Sequence, residues 1–467
     1  MIQVANNVTD TIVGGANSAV SLTFDALGVI SAASNVALQV NTTDIVNGAI
    51  TADKIADGTI IAADVADGSI TTAKIADGNV TSAKIDTVAN TQVTGVMTTS
   101  QVADEAITAS KLATTVAGAL GVRNLIINGD MRIAQRGTSV SGKTTSGYYT
   151  CDRWNHVFST AGTWTFTQDT DVPSGQGFAN SLKMACTTAN ASLSASSSFQ
   201  LHYRFEGQHL QHLKKGTSNA ESVTLSFWIK SNKTGTYQVN IQDRDNTRMI
   251  SSTYTIDSAD TWEKKILTFA GDTTGAFDND NNDSIRMAWF LASGSDYNTG
   301  SVPTSWEATD TTDLAAGLTV NLADSTSNYI NITGVQLEVG DTATPFEHRP
   351  YDMELARCQR YYITWCEGSN KFLGISNNYT STTTYVFMDL PVTMRTTPSL
   401  DHVTGTDYYR SLSNNIGDNF NNLNLWGQSN INSVGLFVNT NLSVTQGYAG
   451  MVITNNTAAY IGFSAEL

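Results

Sequence analysis

The stretch from Asn41 to Ile85 is built from near-identical ten-residue units, with an apolar β-branched residue at every fifth position. A fixed internal period is the signature of an array of repeated units. A ten-residue unit with two aliphatic side chains cannot bury them alone, so they must pack against neighbouring units or other chains. The units read NTTDIVNGAI, TADKIADGTI, IAADVADGSI, TTAKIADGNV and TSAKI, and the apolar series is Ile45, Ile50, Ile55, Ile60, Val65, Ile70, Ile75, Val80 and Ile85.

The five-residue period matches neither the α-helical turn nor a heptad, and each complete unit contains an Asp-Gly or Asn-Gly pair. Pairs such as Asp57-Gly58 tolerate positive φ and predict a tight turn. Each unit is therefore predicted to be a short extended segment, such as Ile50–Ile55, followed by a turn. Residues five apart point to opposite faces of a flat strand, so one sheet cannot bury the series. We expect a β-rich shaft of three chains wound about one axis, with a single-chain β-solenoid as the alternative.

Composition argues against several classes of partner. Net charge is −16 and only 15% of residues are charged, whereas nucleic-acid binding requires clustered Lys and Arg. The same negative net charge disfavours binding to anionic lipid, and no apolar run is long enough for membrane insertion. The N-terminal MIQVANNVTD lacks a basic region, since the first basic residue is Lys54. We therefore expect synthesis in a host cytoplasm without a signal peptide, and localisation to a virion.

The chain divides by composition into four predicted parts. Residues 1–40 are an attachment segment in which Leu27, Ile30 and Val36 could share a helix face, and 41–121 are the shaft. Residues 122–350 contain alternating segments such as VTLSFWIK and TYQVNIQD, which predict a jelly-roll β-sandwich. Residues 351–467 form a smaller C-terminal β domain. The expected fold class is all-β, with helices only at Gly207–Gly216 and Asp352–Tyr362.

Several long strings resemble the receptor-binding part of bacteriophage tail fibres. They are RNLIINGDMRIAQRG, GYYTCDRW, VTLSFWIKSNKTGTY and TGVQLEVGDTATPFEHRPYDMELARCQRYY, in that order, preceded by the KIADG repeats and followed by LPVTMRTTPSL. The resemblance covers roughly residues 41–400 and implies a homotrimeric tail fibre. It also implies a middle domain similar to carbohydrate-binding jelly rolls, and no catalytic activity.

Two motifs suggest bound ligands. GTSVSGKT, residues 137–144, matches a phosphate-binding loop, but the following TSGYY is a poor helix start, so a polar loop is the better interpretation. FDNDNNDS brings Asp278, Asp280 and Asp283 close in sequence, and such oxygen-rich loops suit Ca²⁺. A solvated polar turn is the preferred interpretation, with a structural calcium ion at these aspartates as the alternative, and we expect no other cofactor. The four widely spaced cysteines are expected to be reduced.

Glycan recognition needs exposed aromatic rings with hydrogen-bonding side chains beside them. In the middle domain Trp228 and Trp289 lie within strand alternation, which favours packing in the core. In the C-terminal domain aromatic residues lie among Asn-rich loops, where recognition concentrates. The predicted receptor-binding residues are Tyr408, Tyr409, Asn421, Asn424 and Trp426.

These observations predict a trimeric fibre that attaches a virion to its host by multivalent recognition of a surface glycan or protein. The N-terminus is expected to bind a tail adaptor or hub protein. One alternative is a polysaccharide depolymerase, for which Glu263, Glu307 and Glu338 are candidate acids. Another is a connector fibre without a receptor site. A bacterial trimeric adhesin would need a signal peptide and a membrane anchor.

Overall fold

The structure, a computed structural model, describes residues 18–37, 41, 43, 45–71, 74, 75 and 123–467. Near the N-terminus it contains an antiparallel hairpin, β1 (Ser18–Phe24) and β2 (Ile30–Ala37). The Asp25 carboxylate closes the turn, because it accepts hydrogen bonds from the backbone N–H groups of Leu27 and Val29, both at 2.9 Å. The helix face expected for Leu27, Ile30 and Val36 is therefore wrong, since these residues lie in a hairpin.

The described repeat residues form a regular series of turns. In one unit Lys54 N–H donates to Thr51 O at 3.0 Å and Thr59 N–H donates to Ala56 O at 3.1 Å. The same two bonds recur ten residues later, from Asp64 to Ile61 and from Ser69 to Ala66. Short 3-10 turns occupy Ala52–Lys54 and Ala62–Asp64. The predicted turn at Asp57-Gly58 is confirmed, with Gly58 at φ +78°.

The extended segments predicted for this region are wrong in the part of the repeat that the structure describes. A 3-10 turn lies inside Ile50–Ile55, and none of the described residues between 41 and 75 belongs to a strand. The two turns in each unit use backbone N–H and C=O groups that a strand would need for hydrogen bonds to a neighbouring strand. The aliphatic side chains remain outside, and Ile50, Ile60 and Ile70 are 56–58% exposed.

The first sandwich spans residues 139–339 and consists of two antiparallel sheets. The six-stranded sheet has the order β12-β9-β15-β7-β6-β3, and the seven-stranded sheet has the order β14-β11-β10-β13-β8-β5-β4. Eight of these strands alternate between the sheets as in a jelly roll, with β7-β15-β9-β12 facing β8-β13-β10-β11. The strands are β3 (Ser139–Lys143), β4 (Gly147–Tyr148), β5 (Asn155–Ser159), β6 (Thr163–Asp169), β7 (Ser181–Thr188), β8 (Ser198–Glu206), β9 (Val223–Ser231), β10 (Gly235–Asp243), β11 (Arg248–Ile256), β12 (Glu263–Phe269), β13 (Asp283–Ser293), β14 (Glu307–Ala308) and β15 (Tyr329–Val339).

Alternation along the strands builds the core of the first sandwich. In β9 the side chains of Leu225, Phe227 and Ile229 point inward and are at most 1% exposed. They meet large aromatic residues of the opposite sheet, including Trp289. The all-β prediction is confirmed, and so are the strands predicted in VTLSFWIK and TYQVNIQD.

A helix and a second pair of sheets follow. Helix α1 (Tyr351–Gln359) confirms the helix predicted after Pro350. The second sandwich, residues 362–464, packs a three-stranded sheet, β16-β25-β19, against a seven-stranded sheet, β21-β20-β24-β17-β18-β23-β22. Its strands are β16 (Tyr362–Glu367), β17 (Phe372–Asn378), β18 (Thr384–Asp389), β19 (Ser399–His402), β20 (Tyr409–Ser413), β21 (Ile416–Phe420), β22 (Asn424–Leu425), β23 (Ser433–Val438), β24 (Ala449–Thr454) and β25 (Tyr460–Ser464).

The two sandwiches belong to one compact unit. Charged side chains join them: Arg153 lies 2.9 Å from the Glu466 carboxylate, and its guanidinium stacks 3.4 Å above the Tyr361 ring. Ile133, Cys358 and Tyr361 form a small apolar cluster beside these contacts.

Three further predictions concern local features. The predicted helix at Gly207–Gly216 is wrong, because that segment forms two 3-10 turns, Gly207–His209 and Gln211–Leu213. The residues that resemble a phosphate-binding loop include strand β3, not a helix N-terminus. All four cysteines are free, as predicted, and all four are buried. Among the described residues, no helix has the length and apolarity needed to span a membrane.

Candidate functional site

The outer face of the six-stranded sheet carries a groove of about 460 Å³. Its floor is formed by β9, β12 and β15, and its walls by the loop around Phe178 and the segment 343–348. We call it the Trp228 groove. The residues that line it are Gln176, Phe178, Ser226, Trp228, Lys264, Gly334, Ala343, Thr344, Pro345, Phe346 and His348.

Trp228 lies at the centre of the floor because of its phase in β9. The neighbouring Phe227 and Ile229 point into the core, so Trp228 points outward and is half-buried. It lies opposite Lys264 of β12 and Thr333 of β15. Core packing was therefore the wrong expectation for Trp228, whereas it is confirmed for Trp289, which is 1% exposed.

Aromatic rings of the two walls contact each other. The Phe178 and Phe346 rings meet edge to face with centroids 5.1 Å apart, and the His348 ring lies 4.9 Å from Phe346 and 5.4 Å from Phe178. Gly334 leaves room for the Phe178 ring: it sits in a bulge of β15 at φ +61°, and a Cβ there would lie 2.5 Å from Phe178 Cζ. A side chain at position 334 would displace the ring.

Polar side chains of β15 hold the wall formed by the segment 343–348 in place. The Gln336 side-chain oxygen accepts from Glu347 N–H at 2.8 Å, and Glu338 accepts from Thr344 N–H at 2.9 Å and from its hydroxyl at 2.6 Å. These hydrogen bonds involve the outward-facing side chains of β15, which would otherwise be exposed to solvent. The segment 343–348 is therefore fixed against the sheet without a strand of its own.

The groove combines flat apolar rings with unused polar groups. In the part of the chain that the structure describes, the side chains of Gln176, Ser226, Lys264 and His348 form no hydrogen bond. Aromatic faces pack against the apolar faces of sugar rings, and neighbouring amide, hydroxyl and ammonium groups bind their hydroxyls. No carboxylate lines the groove. The arrangement is suited to binding a neutral or acidic saccharide.

The predicted receptor-binding residues occupy different environments in the second sandwich. Tyr409 is a core residue: it is 0% exposed, and its hydroxyl donates to Val403 O at 2.6 Å. Tyr408 is half-buried against the same core. Asn421 fixes the adjacent loop, since its side-chain oxygen accepts from Asp407 N–H at 2.9 Å. These contacts account for Tyr409 and Asn421 as structural residues.

Trp426 and Asn424 lie beside an aromatic surface. Asn424 pairs with Phe437 in the β22–β23 ladder. Two residues further on, the half-buried Trp426 ring meets Tyr385 edge to face at 5.5 Å and Phe387 at 5.7 Å. Phe387 is 49% exposed. We call Tyr379, Tyr385, Phe387, Trp426 and Phe437 the aromatic face of the second sandwich.

The structure does not bring the three predicted calcium ligands together. Asp283 pairs with Arg286 at 2.9 Å, and Asp280 accepts hydrogen bonds from Asn282, while Asp278 is exposed. Across the described residues, no group of three or more His, Cys, Asp or Glu side chains is arranged to hold a metal ion.

The three glutamates proposed for a depolymerase have local roles. Glu338 binds Thr344, and Glu263 binds Lys265 at 2.5 Å. Burial, followed by the charge of the neighbouring Asp313, raises the pKa of Glu307. None of the three lines the Trp228 groove, so the carboxylate pair that glycoside hydrolysis uses is not found there.

Sequence reasoning missed the groove, although part of its signal was present. The alternation that places Phe227 in the core also places Trp228 outside. Nothing in the sequence indicates that Phe178 and Phe346, 168 residues apart, would meet across the bulge at Gly334. That proximity depends on tertiary packing.

No family model and no curated protein match this sequence. Similar solved structures include the enzymatically active domain of tailspike protein 4 of bacteriophage CBA120 (12% identity, TM-score 0.24, 46% of this chain). The match spans only 21% of that tailspike chain. TmCBM61 in complex with β-1,4-galactotriose is 11% identical, with a TM-score of 0.24 over 47% of this chain and 99% of that one. The family 11 carbohydrate-binding module from Clostridium thermocellum is 12% identical, with a TM-score of 0.21 over 44% and 98%. These likenesses are remote and support no inference about ligand, reaction or assembly.

Proposed function

We propose that this chain is a bacteriophage tail fibre that attaches the virion to its host by binding a cell-surface glycan in the Trp228 groove. The observation that carries the proposal is the groove itself, where Trp228, Phe178 and Phe346 present rings beside polar side chains that have no hydrogen-bond partner among the described residues. The sequence resemblance to tail fibres supports the same function. The N-terminus would bind a tail adaptor or hub protein, and the virion would be the site of action.

Recognition would use ring stacking for affinity and hydrogen bonds for specificity. A sugar over Trp228 would lie within reach of Lys264, its cross-strand neighbour, and of His348 on the opposite wall. A stacking contact contributes about 1 kcal/mol beyond its buried area, so one groove binds weakly. Several grooves on one fibre would gain avidity through a high effective concentration.

A homotrimer would supply that multivalency. The exposure of Ile50, Ile60 and Ile70 in an isolated chain supports self-association, because a periodic aliphatic series in water is costly. Light scattering on the purified full chain should give a mass three times the 49.9 kDa of one chain. A monomer would overturn the trimeric fibre but leave the groove intact.

Replacing Trp228 by Ala tests the glycan site. On an array of bacterial surface glycans, the variant should lose about tenfold or more of the fluorescence-detected affinity of the wild type. Trp262→Ala is the matched control, since Trp262 is half-buried in the same sandwich and donates to Asp171 outside the groove. If both variants bind like the wild type, or if the wild type binds no glycan, the groove is not the receptor site.

A further inference from the structure

A second cavity, of about 350 Å³, lies at the junction between the first sandwich and helix α1. We call it the junction cavity. One side is the segment that precedes β3, and the other is the last turn of the helix with the arginine that follows it. The residues that line it are Asn124, Leu125, Ile127, His209, Arg357 and Arg360.

The lining is cationic. Its positive charge comes from two guanidinium groups, since burial lowers the pKa of the His209 imidazole, and no carboxylate is among the lining residues, in a chain whose net charge is −16. The carboxylates nearby are already paired: Glu206 binds Arg360 at 2.6 Å, and Glu354 binds Arg349 at 3.2 Å. An anion entering the cavity would therefore meet arginines without displacing a buried acid.

Arg357 differs from the other arginines at this junction. Within the described residues it forms neither a salt bridge nor a hydrogen bond, although it is half-buried. Burial, and then the charge of nearby Arg349, lower the pKa of its guanidinium, and Glu354 and Glu347 offset this only in part. Arg360 uses Nε and Nη2 for Glu206 and has Nη1 left over.

The remaining walls are apolar. Leu125 is half-buried, and Ile127 is 9% exposed. A volume of 350 Å³ lies at the lower end of the range for small-molecule sites. The cavity thus offers an apolar wall against which a ring can pack. It also offers the N–H groups of planar guanidinium side chains, with which arginine binds carboxylate, sulfate or phosphate.

We infer that the junction cavity binds a single sugar unit carrying an anionic group, with the anion held by Arg357 and Arg360. The inference does not rest on the Trp228 groove, which lies on the outer face of the six-stranded sheet. It adds a second ligand site to the same chain and predicts that acidic sugars bind independently of the ring-stacking site.

Calorimetric titration of the full chain with glucuronate, glucose 6-phosphate, inorganic phosphate and glucose tests the inference. Glucuronate or glucose 6-phosphate should bind and glucose should not, while phosphate alone should bind more weakly because it lacks the ring. Arg357→Gln should weaken binding at least about tenfold. Arg357→Lys, which keeps the charge at the helix end but not the fork, should weaken it less.

Two controls separate this site from general charge and from the groove. Arg244→Gln removes one exposed positive charge of the first sandwich and should leave binding unchanged. Trp228→Ala should also leave it unchanged. The inference is overturned if the wild type binds neither acidic sugar, if Arg357→Gln binds like the wild type, or if Arg244→Gln loses as much as Arg357→Gln. Circular dichroism of each variant checks that the fold is retained.

Discussion

Arg360 and Glu206 form a two-point ion pair that joins the end of helix α1 to the first sandwich. Nε donates to Oε1 at 2.8 Å and Nη2 to Oε2 at 2.6 Å. Glu206 is fully buried and also accepts from the Tyr361 hydroxyl at 2.5 Å. Burial acts to raise the pKa of Glu206, but the bonds from Arg360 and Tyr361 outweigh it and hold the pKa below its ordinary value.

Glu206→Gln should destabilise the protein by about 3 kcal/mol, because it leaves a partly buried guanidinium without its charge partner. The measurement is the free energy of unfolding from urea titration at pH 7. Glu221→Gln is the control, since Glu221 pairs with Lys214 at the surface and its loss should cost less than about 1 kcal/mol. Equal, small losses for both variants would show that the ion pair is not important for stability.

Trp426→Ala tests the receptor-binding residues predicted in the second sandwich. Its ring packs against Tyr385 and Phe387 on the aromatic face, so a ligand stacking there would lose a large contact area. If this face contacts the receptor in addition to the Trp228 groove, adsorption of the fibre to host cells should fall about tenfold, with the native mass unchanged. Tyr351→Ala, which removes an exposed ring of helix α1, is the control. Unchanged adsorption would remove Trp426 from the site.

Gly334→Ala should damage the Trp228 groove. Alanine at φ +61° is strained by about 1 kcal/mol, and its Cβ would also collide with Phe178. We expect a loss of 2 kcal/mol or so of stability together with weaker glycan binding. Gly175→Ala is matched, because Gly175 has φ +74° but open space around it. Gly175→Ala should lose stability but keep glycan binding. If Gly175→Ala also weakens glycan binding, Gly334 has no specific role in the groove.

His156 should make the fold sensitive to acid. Burial lowers its pKa to about 3, so the folded protein keeps it neutral while the unfolded chain takes up a proton below about pH 6.5. The unfolded state then binds more protons, and stability falls as pH decreases from 6.5. At pH 4.5 the cost is roughly 3 kcal/mol.

His156→Phe should therefore lose less stability than the wild type between pH 7 and pH 4.5, as measured by urea unfolding at both values. Asp152 acts in the opposite sense, since burial raises its pKa to about 6, but it is present in both proteins and cancels in the comparison. His212→Phe, at an exposed position, should follow the wild type. An unchanged pH dependence for His156→Phe would exclude His156 as the cause.

Local patterns in the sequence predicted the regular elements well. Alternation in VTLSFWIK matches β9, and the segment after Pro350 forms helix α1. These succeed because one buried face imposes a period of two on a strand, and a proline at a helix start favours the following turns. The helix predicted for Gly207–Gly216 was wrong. This short segment begins and ends with glycine and forms two 3-10 turns, so it has no complete helical face.

The repeat was predicted in its period and its turns but not in its conformation. Gly58 takes the expected positive φ, whereas Ala52–Lys54 closes a 3-10 turn inside the supposed extended segment. A five-residue spacing predicts the positions of the turns, but it does not determine the conformation of the backbone between them.

The sequence by itself determined the all-β class and the positions of the principal strands, because both depend on neighbouring residues, whereas the outward position of Trp228 was established only by the structure. Tertiary structure decided which aromatic residues meet. Phe178 and Phe346 converge only where the bulge at Gly334 lets them approach, and Arg357 borders a cavity only because helix α1 packs beside Leu125. Such sites join residues far apart in the chain, and their proximity is set by the packing of whole sheets, for which no local pattern carries the information.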